Sequence, residues 1–259
     1  MGDNAAGMCG RFALYTPPAK IARYFGATLA DDTESDFTPS WNVAPTDTVL
    51  GVRERPPRPV PAEAGGEPSE GAPAPEPATP ERVLMTFRWG LVPWWSKDAK
   101  AGSRLFNARA ETVPTKASFR EAFRERRIIV PADGFYEWRK TKTGARQPHY
   151  FTRADGAPLA LAGLAERWRP KDAPKDTPYL RSCTVITAPG GADMDGIHDR
   201  MPVILDPATF ELWLDPANED TEELRALLRP PPAGTVVHHE IGQRVGNVRN
   251  NDPSLIEAV

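Results

Sequence analysis

The chain has 259 residues, 40% hydrophobic and 26% charged, with a formal net charge of −3, the profile of a soluble globular protein. No apolar run reaches the ~18–20 residues of a membrane helix, and residues 1–7 lack the basic start and apolar stretch of a signal peptide, so a cytoplasmic protein without membrane contact is expected. Two cysteines make no disulfide framework, and histidines 149, 198, 238 and 239 show no metal-ligand spacing, so no metal and no cofactor is expected.

The chain opens MGDNAAGMCGRF, with a second methionine directly before Cys9. If translation begins at Met8, or residues 1–7 are cleaved, removal of Met8 leaves Cys9 with a free α-amine beside its thiol. The other reading is an internal cysteine at the start of a strand. In a strand CGRFALY, Cys9 and Arg11 share a face. A guanidinium there favours the thiolate and can hold a phosphate; the plainer alternative is a core cysteine beside a surface arginine. TPPAKIARYFG follows as a short helix with Thr16 as N-cap and proline at its first position.

Residues 53–82 stand apart, with nine prolines, three glycines and no aromatic residue. Such a segment buries too little apolar surface to offset its ordering entropy, so a disordered insertion is expected. Its flanks, DTVLGV and RVLMTFRW, read as strands, which makes it the tip of a hairpin inside one domain spanning residues 8–255. Loop closure rises only logarithmically with length, so one fold tolerates it.

Downstream, RVLMTFRWGLV, RRIIVPA, GFYEWRK, HYFTR, LALAGLAERW, SCTVITA, MPVIL and VVHHEIG read as strands. Short helices are predicted at 117–125, 207–214 and 220–228. Cys183 lies in one of these strands and reads as a core residue. His238 and His239 are strand neighbours and point to opposite faces. Strands in succession with few helices predict an α+β fold on a mainly antiparallel, barrel-like sheet. No repeat, P-loop or dinucleotide fingerprint appears.

Several residues are candidates for chemistry. In GFYEWRK, alternation sets Phe135, Glu137 and Arg139 on one face and Tyr136 and Trp138 on the other. Desolvation there would raise the Glu137 pKa and make it a proton shuttle near neutrality; otherwise it is a half-exposed carboxylate paired with Arg139 or Lys140. In LFNARAET, Asn107 and Arg109 share a face, where an amide and a guanidinium can orient a sugar oxygen and a phosphate, or Arg109 pairs with Glu111. His198 sits in a loop before a strand, a place for functional or merely exposed side chains. WGLVPWWSK offers Trp94 and Trp95 for base stacking, with one of the two expected in the core. Residues 97–146 carry 13 Lys/Arg against 6 Asp/Glu, either a solvated basic face or a phosphate-binding surface.

Taken in order, MCGRF, NVAPT, WGLVPxW, FNARAET, PADGFYEW and IHDRMPVIL resemble the SRAP family (SOS response-associated peptidases, or abasic site processing proteins) from Met8 to about Asp252. The resemblance implies covalent capture of abasic sites in single-stranded DNA by Cys9 during the DNA damage response. It implies autopeptidase removal of the preceding residues and leaves room for AP lyase activity. By the same matching Glu137 is the acid/base, His198 its partner at the opened sugar, and Asn107 the residue that positions sugar and Cys9. Arg11 and Arg109 are implied phosphate clamps, and Trp95 and Trp138 stack or wedge at bases; a monomer is expected. Two other functions fit the same residues: a cysteine peptidase acting on a protein through Cys9, His198 and Glu137, and a non-covalent binder of modified or single-stranded DNA.

Overall fold

The structure, a computed structural model, describes residues 9–55 and 81–259. The expected extension 1–7 and most of the proline-rich insertion lie outside these residues. Five strands form one sheet, in the order β13 (Val236–Glu240), β9 (Arg146–Arg153), β8 (Gly134–Lys140), β1 (Phe12–Leu14), β3 (Ser40–Val43). The second sheet runs β12 (Arg200–Pro202), β11 (Leu180–Pro189), β10 (Leu159–Trp168), β7 (Arg127–Ala132), β4 (Thr48–Arg55), β5 (Glu81–Trp89), β2 (Thr28–Leu29). A short strand, β6 (Asn107–Arg109), pairs with β11 in parallel. Among the described residues the helices are short: α1 (Pro18–Phe25), α2 (Thr33–Asp36), α3 (Arg120–Glu125), α4 (Phe210–Leu214) and α5 (Thr221–Ala226). None is long and apolar enough to cross a membrane.

The second sheet closes on itself, because β11 also pairs with β5 at Ser182↔Arg88 and Cys183↔Trp89. Strands β11, β10, β7, β4 and β5 thus form a ring, the expected α+β architecture with a mainly antiparallel sheet. The ring is narrow enough to require glycine inside it. A Cβ on Gly51 would stand 2.7 Å from Phe87 Cε2 and 3.1 Å from Ile128 Cδ1, closer than side chains pack. The main core fills the ring and spreads to the face of β8 that carries Phe135. A smaller cluster of Ala13, Tyr136, Tyr150, Ile241, Val245 and Leu255 covers the other face of the first sheet.

Three expectations are corrected. First, β4 and β5 extend into the proline-rich segment: Arg53, Glu54 and Arg55 pair with Val83, Arg82 and Glu81. The ends of residues 53–82 are therefore strand, tied across the pair by Arg82 and Glu54 at 3.0 Å. Second, α1 starts one residue later than its Thr16 cap implies. Pro17 occupies the cap position with no side-chain hydrogen bond, because the Thr16 hydroxyl donates to Asp133 Oδ1 at 2.5 Å. Asp133 Oδ2 also accepts from the N–H groups of Tyr15 and Thr16, so one carboxylate at the β7–β8 turn fixes the chain leaving β1. Third, β1 begins at Phe12, so Cys9 and Arg11 precede the strand and its alternation does not set their faces.

Candidate active site

Strand β8 has both faces covered. Phe135 stacks on Phe151 with centroids 4.7 Å apart at 9°, while Tyr136 lies in the smaller cluster and donates to the Trp41 carbonyl at 2.5 Å. Glu137, next along the Phe135 face, is left 3% exposed. Burial pushes its pKa up to about 8, against a lowering by the Trp138 backbone; Asp199 adds to the rise and Arg146 opposes it. At neutral pH the carboxyl is mostly protonated, as a desolvated acid should be.

Cys9 is buried in the main core. Burial first, and the charge of Glu137 second, raise its thiol well above the ordinary value, against a contact to the Arg11 carbonyl. The thiol is therefore protonated at neutral pH. Asn107 Nδ2 donates to the Cys9 carbonyl at 2.9 Å, and the pairing of β6 with β11 at Asn107↔Val185 holds that amide in place.

His198 enters from the loop before β12. The Arg200 backbone N–H donates to His198 Nδ1 at 3.0 Å. The Arg200 carbonyl stands 3.2 Å from the same nitrogen, so Nδ1 has both a donor and an acceptor facing it. Nε2 stands 4.0 Å from Glu137 Oε2, just beyond hydrogen-bond reach. The Arg200 side chain is itself held by Glu111 and by the Thr187 carbonyl at 2.6 Å.

Cys9, Asn107, Glu137 and His198 thus converge from four distant parts of the chain. Two buried acceptors among them, Asn107 Oδ1 and Glu137 Oε1, have no donor among the described residues. Beside His198 a hollow of about 440 Å³ is lined by Trp138, Lys140, Arg146, Gly196, Ile197 and Asp199. Trp138 is half-buried, and Lys140 and Arg146 are cross-strand partners, so the hollow has an aromatic wall and a cationic rim.

The other anticipated residues are placed unequally. Arg109 is exposed, and Glu111 goes to Arg200. Arg11 Nη1 is committed to Asn42 Oδ1 at 2.7 Å and the Val245 carbonyl at 2.9 Å; a phosphate contact from Arg11 would use the rest of its guanidinium. Trp95 is 46% exposed and Trp94 55%, which corrects the expectation that one of them is core. The loop after Pro93 carries both rings outward, where Trp94 Nε1 reaches Glu121 Oε2 at 3.2 Å.

Sequence reasoning missed Arg146, which it had only within a basic stretch, Lys140, which it had only as a possible partner of Glu137, and Asn42, which it had only as a letter in NVAPT. Asn42 is buried and joins the start of the fold to its end. Its Nδ2 is within 3.3 Å of the carbonyls of Val245, Asn247 and Asn250, and its Oδ1 holds Arg11. Asn42→Ala is expected to cost about 2–3 kcal/mol, because it strands a guanidinium and several carbonyls at once. Urea unfolding checks this; a loss below about 0.5 kcal/mol would show that water replaces the amide without penalty.

This geometry defines an α+β protein built around a buried cysteine at the start of its fold, with an amide on the cysteine carbonyl and a carboxyl–imidazole pair behind it. The chain belongs to the SOS response associated peptidase (SRAP) family, which it matches over residues 8–248. It is 35% identical over 251 residues to the abasic site processing protein YoqW of Bacillus subtilis (strain 168), covering 97% of this chain and 100% of that one. It is 36% identical over 199 residues to the abasic site processing protein HMCES of Gallus gallus, covering 68% of this chain and 57% of that protein. A crystal structure of a Bacteroides thetaiotaomicron protein shares the fold, with a TM-score of 0.77 at 23% identity and coverage of 97% and 100%. A Bordetella bronchiseptica protein matches with a TM-score of 0.65 at 28% identity, covering 90% of this chain and 100% of that one.

Proposed function

We propose that this protein processes abasic sites in single-stranded DNA by bonding to them covalently through Cys9. The observation that supports this most is the pair of donor-less buried acceptors at Cys9, Asn107 Oδ1 and Glu137 Oε1. A free α-amine on Cys9 would bring N–H donors to this cluster, and buried acceptors are rarely left unmet.

The ring-opened sugar of an abasic site presents an aldehyde at C1′. The α-amine, with an ordinary pKa of about 7.7–8.0, attacks that carbon while neutral. The Glu137 carboxyl gives a proton to the departing hydroxyl, water leaves, and an imine forms. The Cys9 thiol then adds across the C=N bond: sulfur bonds to C1′ and the thiol proton passes to nitrogen, closing a thiazolidine with the net loss of one water. The His198 imidazole, through Nε2, steadies the Glu137 carboxylate and the sugar hydroxyl, and Asn107 aims the amine by holding the Cys9 carbonyl. Proximity of amine and thiol on one residue makes the second step intramolecular. Arg109, with Arg11, clamps the flanking phosphates, and Trp95 and Trp138 meet the bases. β-Elimination from the same imine would give lyase activity. A protonated, buried thiol suits this amine-first order better than thiolate attack on a protein substrate.

The reactive form needs the peptide bond before Cys9 to be absent, by initiation at Met8 followed by loss of that methionine, or by autoproteolysis. The test mixes protein with abasic single-stranded DNA, denatures it and looks for a shifted band without borohydride. The band is expected with protein whose intact mass begins at Cys9, and not with Cys9→Ala or protein retaining Met8. An equal band from protein retaining Met8 would rule the thiazolidine route out.

A further inference from the structure

We propose that one mouth of the β-ring is a second binding site, for a phosphate or similar tetrahedral oxyanion, built by Arg53, Arg167 and Arg181. A cavity of about 80 Å³ opens there, lined from every ring strand: Arg53 on β4, Phe87 on β5, Ile128 on β7, Arg167 on β10 and Arg181 on β11. Ring mouths are common ligand sites. Liquid water occupies about 30 Å³ per molecule, so the space suits one small oxyanion or two to three waters. Its floor is apolar, and its walls carry arginines with Glu54, Glu125 and Glu166 among them.

The charge there is unbalanced. Arg167 and Arg181 are direct cross-strand partners, an arrangement that costs stability when nothing lies between like charges. Arg53 feels both of them and Arg55 as well, behind the larger effect of its own burial. The carboxylates lining the cavity are already engaged: Glu54 with Arg82 at 3.0 Å, Glu125 and Glu166 with Arg126 at 2.9 and 3.1 Å. Among the described residues only Asp32 answers the three arginines, at 3.1 Å from Arg181 Nη2. Among the described residues Arg181 Nη1 is buried without an acceptor, and Arg53 Nε reaches only the Glu54 carbonyl, at 3.5 Å. Three planar forks around a small void suit an oxyanion, which takes paired N–H donors. At the rim, exposed Tyr179 lies under both Arg167 and Arg169, 5.8 and 4.6 Å from its centroid.

The site is separate from Cys9. Arg109, the candidate clamp, aligns with Thr187 on β11, six residues and about 20 Å along the strand from Arg181. The proposal therefore stands without the Cys9 chemistry.

The test is thermal denaturation of the full chain in sodium phosphate against sodium chloride of equal ionic strength. Phosphate is expected to raise the Tm of the wild type and of Cys9→Ala alike, by mass action on the folded state. In Arg167→Gln the half-saturating concentration is expected to rise at least tenfold. That variant removes an exposed like charge and keeps the fold, so the test survives even if Arg181→Gln does not fold. Undamaged 20-nucleotide single-stranded DNA is then added: if it abolishes the phosphate shift, the nucleic-acid backbone is the natural source; if not, a free phosphoanion is. No shift in the wild type, or an equal shift in Arg167→Gln, overturns the site. Loss of the covalent band with the shift intact would overturn the proposed function alone.

Discussion

Glu137→Gln is expected to slow cross-linking by about 10²–10⁴-fold, the usual contribution of a positioned acid or base. The amide keeps the shape of the carboxyl but has no proton to give. The pH dependence separates this from a structural defect. The wild-type carboxyl, with its pKa pushed up to about 8, is the competent acid below that pH, whereas the amine needs pH above about 7.7–8.0 to be neutral. The rate should therefore be bell-shaped with a maximum near pH 8. In the glutamine variant the falling alkaline limb should vanish and the rising limb should remain. Stability should move the opposite way. The unfolded glutamate ionises near its ordinary pKa of about 4.3, while the folded one holds its proton to about 8. The folded state thus binds more protons between these values, and wild-type stability falls as pH rises through that window. Glu137→Gln is expected to be more stable than the wild type at pH 9 by an amount on the order of a few kcal/mol, and to lose that advantage at pH 4. A variant less stable at pH 9, with an unchanged bell, would remove Glu137 from both roles.

What the sequence discloses and what it hides follow from the range of the interactions. Glu137 was legible because alternation within one strand puts it among aromatic residues whichever face is buried. Glycine-free, β-branched runs such as RRIIVPA and SCTVITA marked strands by local preference alone. The closure of β11 onto β5 was not legible, since a parallel pairing of strands some ninety residues apart leaves no local pattern. Arg11 reads as a surface cation until Asn42 and Val245, far away in sequence, claim its Nη1. Thr16 was a sound cap by composition, but Asp133 offers its hydroxyl and N–H a carboxylate instead. The arginines at the ring mouth escaped because Arg53, Arg167 and Arg181 meet only when the ring closes. The basic window at 97–146 contains none of them.

Arg127→Met is expected to destabilise the fold by about 3–5 kcal/mol, the range for breaking a buried charged network. Arg127 is buried at the first position of β7 and donates only to carbonyls: from Nε to Trp213 at 2.7 Å, from Nη1 to Phe123 at 2.8 Å and to Arg124, and from Nη2 to Asn218 at 2.9 Å and to Asp215. Burial lowers its pKa to about 10, with Asp215 and Glu219 opposing the fall, so it remains a cation at any working pH. Its fork closes the C-terminal ends of α3 and α4 against the ring, where the unsatisfied carbonyls of helix ends gather. Methionine fills much of the volume but strands the carbonyls of Phe123, Arg124, Trp213 and Asn218, while that of Asp215 keeps the Asn218 N–H. Lysine keeps the charge on a single tetrahedral head with three donors, so Arg127→Lys should recover only part of the loss. At roughly 2–4 °C per kcal/mol for a chain of this size, the methionine variant should melt about 10 °C lower. Cross-linking at low temperature should survive, because β7 is held to β10 and β4 by backbone pairings that the Arg127 side chain does not make. A full-strength cross-link together with the lowered Tm would separate the scaffold from the chemistry. Loss of both at a temperature where the variant is folded would instead show that α3 and α4 help to aim β8.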